Sequence, residues 1–130
     1  MSSMESIKQR QVAELVKRNF SMVLQEEGGY IYGSEVMVSV TGVKMSPDMS
    51  LAKIYLSVFN TEDKQTVILE MEDQLQRLRQ SLAGRIRKHV RRIPEVTFFL
   101  DDTIDEMYRV DALFGRLYSE NLMGKPDEEE

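Results

Sequence analysis

Seven basic side chains and no acidic one lie between residues 77 and 92, although the whole chain of 130 residues carries a net charge of −5. The seven are Arg77, Arg79, Arg85, Arg87, Lys88, Arg91 and Arg92. Guanidinium groups bind phosphates through paired hydrogen bonds and stack on bases. A helix face that is merely solvated usually mixes charges of both signs. The run therefore predicts a surface that contacts a polyanion.

This basic run also carries apolar residues at helical spacing, namely Leu82, Ile86, Val90 and Ile93. At about 100° per residue, the cations between Arg85 and Arg92 fall on the opposite side. Gly84 lies in the middle of that side, where a missing side chain allows close approach of the backbone. The pattern predicts one basic helix that ends at Pro94. A predicted first helix adds Lys8, Arg10, Lys17 and Arg18, diluted by Glu5 and Glu14.

Residue types that perform catalysis are sparse. There is no cysteine, which excludes thiol catalysis and cysteine-ligated metals, and His89 is the single histidine. One group of acids stands close together, namely Asp101, Asp102, Asp105 and Glu106. These carboxylates could hold Mg²⁺ or act as an acid/base pair. The simpler interpretation is that they stabilise the start of a helix. Tyr30 and Tyr32 either stack on bases or pack in a loop. We predict no catalytic residue, no metal and no cofactor.

The apolar periodicity predicts the order α-β-β-α-α-β-α. The first helix spans about Ser6 to Glu26 and ends at Gly28-Gly29. Two strands follow, around residues 36–41 and 52–58, joined by the turn residues 45–48. A long helical stretch opens at residues 61–63. Because Arg79 interrupts its apolar stripe, we predict either two helices with a break between about Gln76 and Gly84, or one helix with Arg79 extended to solvent.

The third predicted strand spans residues 96–100, and a final helix opens at Thr103 with inward residues Met107, Val110, Phe114 and Leu117. Together these elements predict an α+β fold with a three-stranded sheet and helices packed on it. We expect one domain over residues 1–122 and a disordered acidic tail over 123–130. The first residues lack a signal-peptide pattern, and no stretch is long enough to span a membrane, so we expect a cytoplasmic protein. We also expect it to be a monomer.

Two stretches of the sequence resemble the ribosome-binding factor A family. The first runs from Val38 to Phe59 and contains VSVTGVKMSPDMS followed by AKIYLSVF. The second runs from Leu82 to Asp102 and reads LAGRIRKHVRRIPEVTFFLDD. The arginine-rich segment that leads into Pro94-Glu95 is the most specific part, and the resemblance covers most of residues 5–118.

This resemblance implies a type II KH-like fold and a non-catalytic assembly factor for the small (30S) ribosomal subunit. Such a factor binds 16S rRNA on free 30S subunits or their precursors, aids late pre-rRNA processing and matters most in the cold. The family has an Ala-x-Gly kink between two helices, which is missing near residues 75–77 here. The RNA-binding residues we predict are Arg85, Arg87, Lys88, Arg91, Arg92, Arg77, Lys17, Arg18, Ser46 and Asp48. The alternative is a KH-like protein-interaction module that does not bind RNA.

Overall fold

A computed structural model of the protein describes residues 5–101. Three helices and three strands follow one another in the order α-β-β-α-α-β: α1 Ile7–Tyr32, β1 Met37–Met45, β2 Leu51–Phe59, α2 Lys64–Asp73, α3 Leu75–Ile86 and β3 Glu95–Leu100. This order confirms the predicted α+β fold. The predicted last helix, from Thr103, and the predicted tail lie outside the described residues.

The three strands form one sheet in the order β1-β2-β3. β1 and β2 are antiparallel and are joined by the predicted turn, whereas β2 and β3 are parallel. A bulge between Val40 and Gly42 shifts the register, so that Val40 lies opposite Leu56 and Gly42 opposite Tyr55. The sheet therefore keeps its valines on the helix side at both ends of β1 in spite of one extra residue.

The helices cover one face of this sheet. Ile54, Leu56 and Phe98 point from that face into a core that also holds Phe20 of α1 and Leu78 of α3. The rings of Phe20 and Phe98 lie 5.7 Å apart between centroids. Although α1 has 26 residues, none of the helices described is long and apolar enough to cross a membrane.

The prediction that α1 ends before Gly28 is wrong. The helix continues to Tyr32 and ends at Gly33, whose φ of 94° suits glycine and whose N–H donates to the carbonyl of Gly29. Gly28 is buried inside the helix, and a Cβ atom there would overlap the Tyr32 ring. Tyr32, which packs against the core, lies over Gly28 one turn earlier in the same helix, and the helix continues through the glycine pair in spite of its low helix propensity.

The long helical stretch is divided as predicted, but earlier than expected. α2 begins after Asp63, whose carboxylate accepts a hydrogen bond from the Thr66 N–H. The break falls at Gln74 rather than between Gln76 and Gly84, and the Gln74 N–H donates to the carbonyl of Met71. Arg79 therefore lies inside α3 and causes no break.

Candidate nucleic-acid interface

The prediction of one basic helix up to Pro94 is wrong, because α3 ends at Ile86. Residues 87–89 form a turn in which the His89 N–H donates to the Ile86 carbonyl at 2.8 Å, and residues 90–94 have no regular structure. Val90 and Ile93 still pack against the core, but they do so from an irregular connection. We call residues 87–94 the basic loop. The chain needs this loop because β3 runs parallel to β2, so the chain must return from α3 to the end of the sheet where β2 starts.

Arg79 fixes the far end of the basic loop. Its guanidinium group donates from Nε to the carbonyl of Pro94 and from Nη2 to the carbonyl of Ile93, both at 2.9 Å. The same Nη2 lies 3.4 Å from a carboxylate oxygen of Glu95. An arginine inside an apolar stripe thus binds the backbone carbonyls that the irregular connection leaves without helical partners.

Four cations of the basic loop, Arg87, Lys88, Arg91 and Arg92, are exposed. None of them forms an ion pair with another residue between 5 and 101. Four positive charges within six residues repel one another, and only Arg92 has a carboxylate, that of Asp48, near enough among the described residues to feel its charge, so the loop attracts anions. These are four of the predicted RNA-binding residues.

Arg77 and Arg85, which were also predicted to bind RNA, are partly engaged with α1. Arg77 Nε lies 3.0 Å from Glu27, and its guanidinium carbon lies 5.9 Å from the centre of the Tyr30 ring. Arg85 lies 3.5 Å from Glu26 and donates to the side-chain oxygen of Asn19 at 3.4 Å. The acids that the sequence run lacks are therefore supplied by a neighbouring helix. Both arginines hold α3 against α1.

The turn of the basic loop faces the first half of α1. His89, Lys8, Arg10 and Arg18 line a groove of about 650 Å³ there, with Glu14 as the acid among its lining residues. We call this the α1 groove. It brings the predicted residue Arg18 to the same surface as the basic loop. His89 is exposed and takes part in this surface rather than in the core.

Lys17 lies to one side, in a smaller groove of about 220 Å³ between α1 and β1 that also includes Arg10 and Gly42. The basic residues of α1 thus line two adjoining grooves, which share Arg10. Arg18 faces the basic loop, and Lys17 faces the strand.

Ser46 and Asp48 form the turn between β1 and β2, which lies beside the basic loop. The Asp48 carboxylate accepts hydrogen bonds from the Ser50 hydroxyl at 2.7 Å, the Ser50 N–H at 3.1 Å and the Ser46 hydroxyl at 2.8 Å. These hydrogen bonds, mainly the two from Ser50, lower the pKa of Asp48 to about 2. The positive charge of Arg92 makes a smaller contribution in the same direction. The Ser50 carbonyl accepts from the Glu95 N–H and so joins the turn to the end of the loop.

One end of the sheet therefore gathers the candidate residues. The start of α1 is attached there by a hydrogen bond from Gln9 to the Met45 carbonyl, and the turn and the basic loop meet beside it. Arg77, at the other end of α3, is not part of this cluster. The sequence did not indicate that Arg79 fixes the loop or that His89 faces α1. The interrupted apolar stripe at Arg79 was the available signal for the first.

Comparisons with known proteins show the family of the chain. The family model of Ribosome-binding factor A matches residues 8–114. The protein of that name from Cytophaga hutchinsonii is 40% identical to the chain, and the match covers 88% of this chain and 85% of the relative. The one from Chlorobium limicola is 35% identical, and that match covers 83% of this chain and 89% of the relative.

Solved structures resemble the fold. A crystal structure of ribosome-binding factor A from Thermus thermophilus has a TM-score of 0.58 and 22% identity, and the match covers 71% of this chain and 94% of that one. A homology model of the Thermus thermophilus factor, fitted into a cryo-electron microscopy map of its complex with 30S, has a TM-score of 0.53 and 25% identity. That match covers 68% of this chain and 89% of the other.

Proposed function

We propose that this chain, which belongs to the ribosome-binding factor A family, binds the 30S ribosomal subunit through 16S rRNA and assists its assembly without catalysis. The family match covers residues 8–114, and the Thermus thermophilus relative has been fitted into a map of a 30S complex. The observation that best supports the proposal is the set of four exposed cations on the basic loop that form no ion pair with any residue of the range 5–101.

In this proposal the basic loop lies against rRNA phosphates. Arg87, Lys88, Arg91 and Arg92 make the main contacts, and Arg18 and Lys17 extend them along α1. Because each phosphate contact releases condensed counterions, binding at low salt gains most of its free energy from this release. Arg77, Arg85, Ser46 and Asp48 remain predicted contacts, although the described structure already uses their side chains internally.

We further propose that the bound factor shifts the rRNA towards a conformation of the immature subunit and is released once late pre-rRNA processing is complete. A ligand changes such an equilibrium only through a difference in affinity between the two states. The factor must therefore bind precursor subunits more tightly than mature ones. Cold would increase the need for it, since misfolded RNA helices rearrange more slowly at low temperature.

Co-sedimentation in sucrose gradients tests this proposal. Purified protein is mixed with precursor or with mature 30S subunits at low salt, and the fraction that migrates with each particle is measured. We expect binding to both and a larger bound fraction with precursor. A protein that stays at the top of both gradients would contradict the proposal.

The main alternative is a protein-interaction module that does not bind RNA. It predicts that replacement of Arg87 and Arg91 by glutamine leaves subunit binding unchanged, whereas the rRNA proposal predicts a large loss. Binding of the factor to protein-free 16S rRNA separates the two further, because only an RNA-binding surface retains affinity there.

A further inference from the structure

The sheet face that points away from α1, α2 and α3 carries a second set of basic and aromatic residues. Lys44 and Lys53 lie directly opposite each other on β1 and β2, and Thr97 lies beside Lys53 on β3. In the next row Tyr55 lies beside Phe99. We call these five residues the outer sheet face. Each of them alternates along its strand with core residues such as Ile54 and Phe98.

The two aromatic rings of the outer sheet face form a stacked pair. Their centroids lie 5.3 Å apart with an interplanar angle of 24°. Tyr55 is half-buried, whereas Phe99 is 39% exposed. A phenylalanine ring held flat against a neighbour and open to solvent is the arrangement on which nucleic-acid bases stack in single-stranded binding proteins.

The two lysines lack a compensating charge. Both are exposed, and neither forms an ion pair with a residue among 5–101. Like charges placed directly across two strands destabilise a sheet. The nearby carboxylate of Glu95 is paired with Arg79 and so does not neutralise them. A bound anion would remove this repulsion.

The outer sheet face is continuous with the basic loop. β2 begins with Leu51, directly after the turn that is bonded to Glu95, and Lys53 is the third residue of that strand. Lys44 is the last residue but one of β1. Both lysines therefore lie at the end of the sheet where the basic loop enters β3.

We propose that the outer sheet face binds unpaired nucleotides of single-stranded RNA. A base stacks on the exposed side of Phe99, which Tyr55 supports from the other side, and the ammonium groups of Lys44 and Lys53 contact the phosphates that flank it. This inference rests on the proposed function, because the same RNA would continue from the basic loop onto the sheet. It adds to that function a preference for an unpaired strand.

The experiment measures the affinity of the full chain for a fluorescently labelled oligouridylate, which has no internal pairing, by fluorescence anisotropy. Two variants are compared at the same position. Phe99→Leu removes the ring but keeps an apolar side chain, and Phe99→Tyr keeps the ring. Base stacking on an aromatic side chain predicts an affinity loss of roughly 5- to 100-fold for Phe99→Leu. We expect Phe99→Tyr to bind like the wild type, and thermal unfolding of both variants checks that the sheet is intact.

A third variant tests the charges. Replacing Lys44 and Lys53 by glutamine should weaken binding and make the negative slope of log affinity against log salt shallower by roughly 1.4, the value for two phosphate contacts on a single strand. Equal affinities of Phe99→Leu and Phe99→Tyr for oligouridylate would overturn the proposal. So would a Phe99→Leu variant that loses 30S binding but keeps oligouridylate binding, because a ribosomal protein would then occupy the face.

The same measurements separate this inference from the proposed function. If Arg87→Gln/Arg91→Gln loses subunit binding while the two Phe99 variants bind oligouridylate equally, the assembly function stands and the sheet site is refuted. If Phe99→Leu loses oligouridylate binding while the loop variant still binds subunits normally, the sheet site stands and the proposed role of the basic loop fails.

Discussion

Arg79 of α3 and Pro94, the last residue of the basic loop, are joined by a 2.9 Å hydrogen bond from Nε to the Pro94 carbonyl. A second bond from the same guanidinium group reaches Ile93. Because Pro94 is fully buried and begins the path into β3, these bonds set the position at which the loop returns to the sheet. The exposed cations of the loop are therefore positioned by Arg79, a partly buried arginine of α3.

Replacing Arg79 by alanine should therefore affect both stability and binding. Hydrogen bonds from a charged donor to buried carbonyls contribute more than neutral ones, and we expect the free energy of unfolding to fall by about 1–3 kcal/mol. Chemical denaturation measures this loss. Glu95→Gln serves as the control, since it keeps both carbonyl bonds and removes only an exposed ion pair, worth less than about 1 kcal/mol. Equal losses in the two variants would show that the carbonyl bonds do not hold the loop.

Asp48 should give the β1–β2 turn a stability that depends on pH. Its pKa is lowered to about 2 in the folded protein, mainly by hydrogen bonds from Ser50, against an ordinary value of 3.8. A carboxyl group with a lowered folded pKa stabilises the protein fully above its unfolded pKa, and this contribution is lost as the pH falls towards the folded pKa. We expect Asp48→Asn to be less stable than the wild type at neutral pH.

The difference between Asp48→Asn and the wild type should shrink as the pH falls from about 4 to about 2. Thermal unfolding of both proteins across this range measures it. A difference that stays constant through the range would mean that the ionised carboxylate does not stabilise the turn.

Ser57 carries a buried hydroxyl whose oxygen has no hydrogen-bond partner in the structure as described. An unsatisfied buried hydroxyl costs free energy, whereas an alanine at the same position buries no polar atom. We expect Ser57→Ala to raise the free energy of unfolding by up to about 1 kcal/mol, measured by urea denaturation. A clear loss of stability would reveal a bond that the Ser57 hydroxyl makes in solution.

Two glycines near the end of α1 should respond in opposite directions to alanine. Gly29 lies in the helix, and a Cβ there meets only the Ser34 Cα at an ordinary 3.9 Å, so Gly29→Ala should stabilise by about 0.5–1 kcal/mol. Gly33 has a φ of 94°, where L-residues are strained, so Gly33→Ala should cost about 1–3 kcal/mol. Thermal melts of the two variants provide each other's control. The same sign for both would contradict the helix end at Gly33.

Much of the fold could be predicted from the sequence, because strands and helices with one apolar face show their period directly. The order of the elements along the chain, the hairpin turn and the start of α2 near residues 61–63 followed from such local patterns. The end of α3 did not. Ile86, Val90 and Ile93 repeat at helical spacing, yet the last two reach the core from a loop, and only the tertiary contact of Arg79 with Ile93 and Pro94 distinguishes the two cases.

The candidate site was predicted in composition but not in detail. A sequence run shows which charges are near one another along the chain, but not which acids approach from elsewhere. Glu26 and Glu27 of α1 pair with Arg85 and Arg77, and this lies beyond any local pattern. The four exposed cations of the basic loop remain when these pairs are set aside.

The central claim is that the basic loop neutralises rRNA phosphates, and the salt dependence of 30S binding tests it most directly. The double variant Arg87→Gln/Arg91→Gln is compared with the control Gln65→Glu/Gln76→Glu, which changes the net charge by the same amount. In the control, Gln65 lies in the first turn of α2 and Gln76 at the start of α3, both away from the basic loop. Two lost phosphate contacts should make the negative slope of log affinity against log salt shallower by roughly 1.4–1.8 in the loop variant, with the slope of the control close to that of the wild type. Equal slopes for the loop variant and the wild type would contradict the claim.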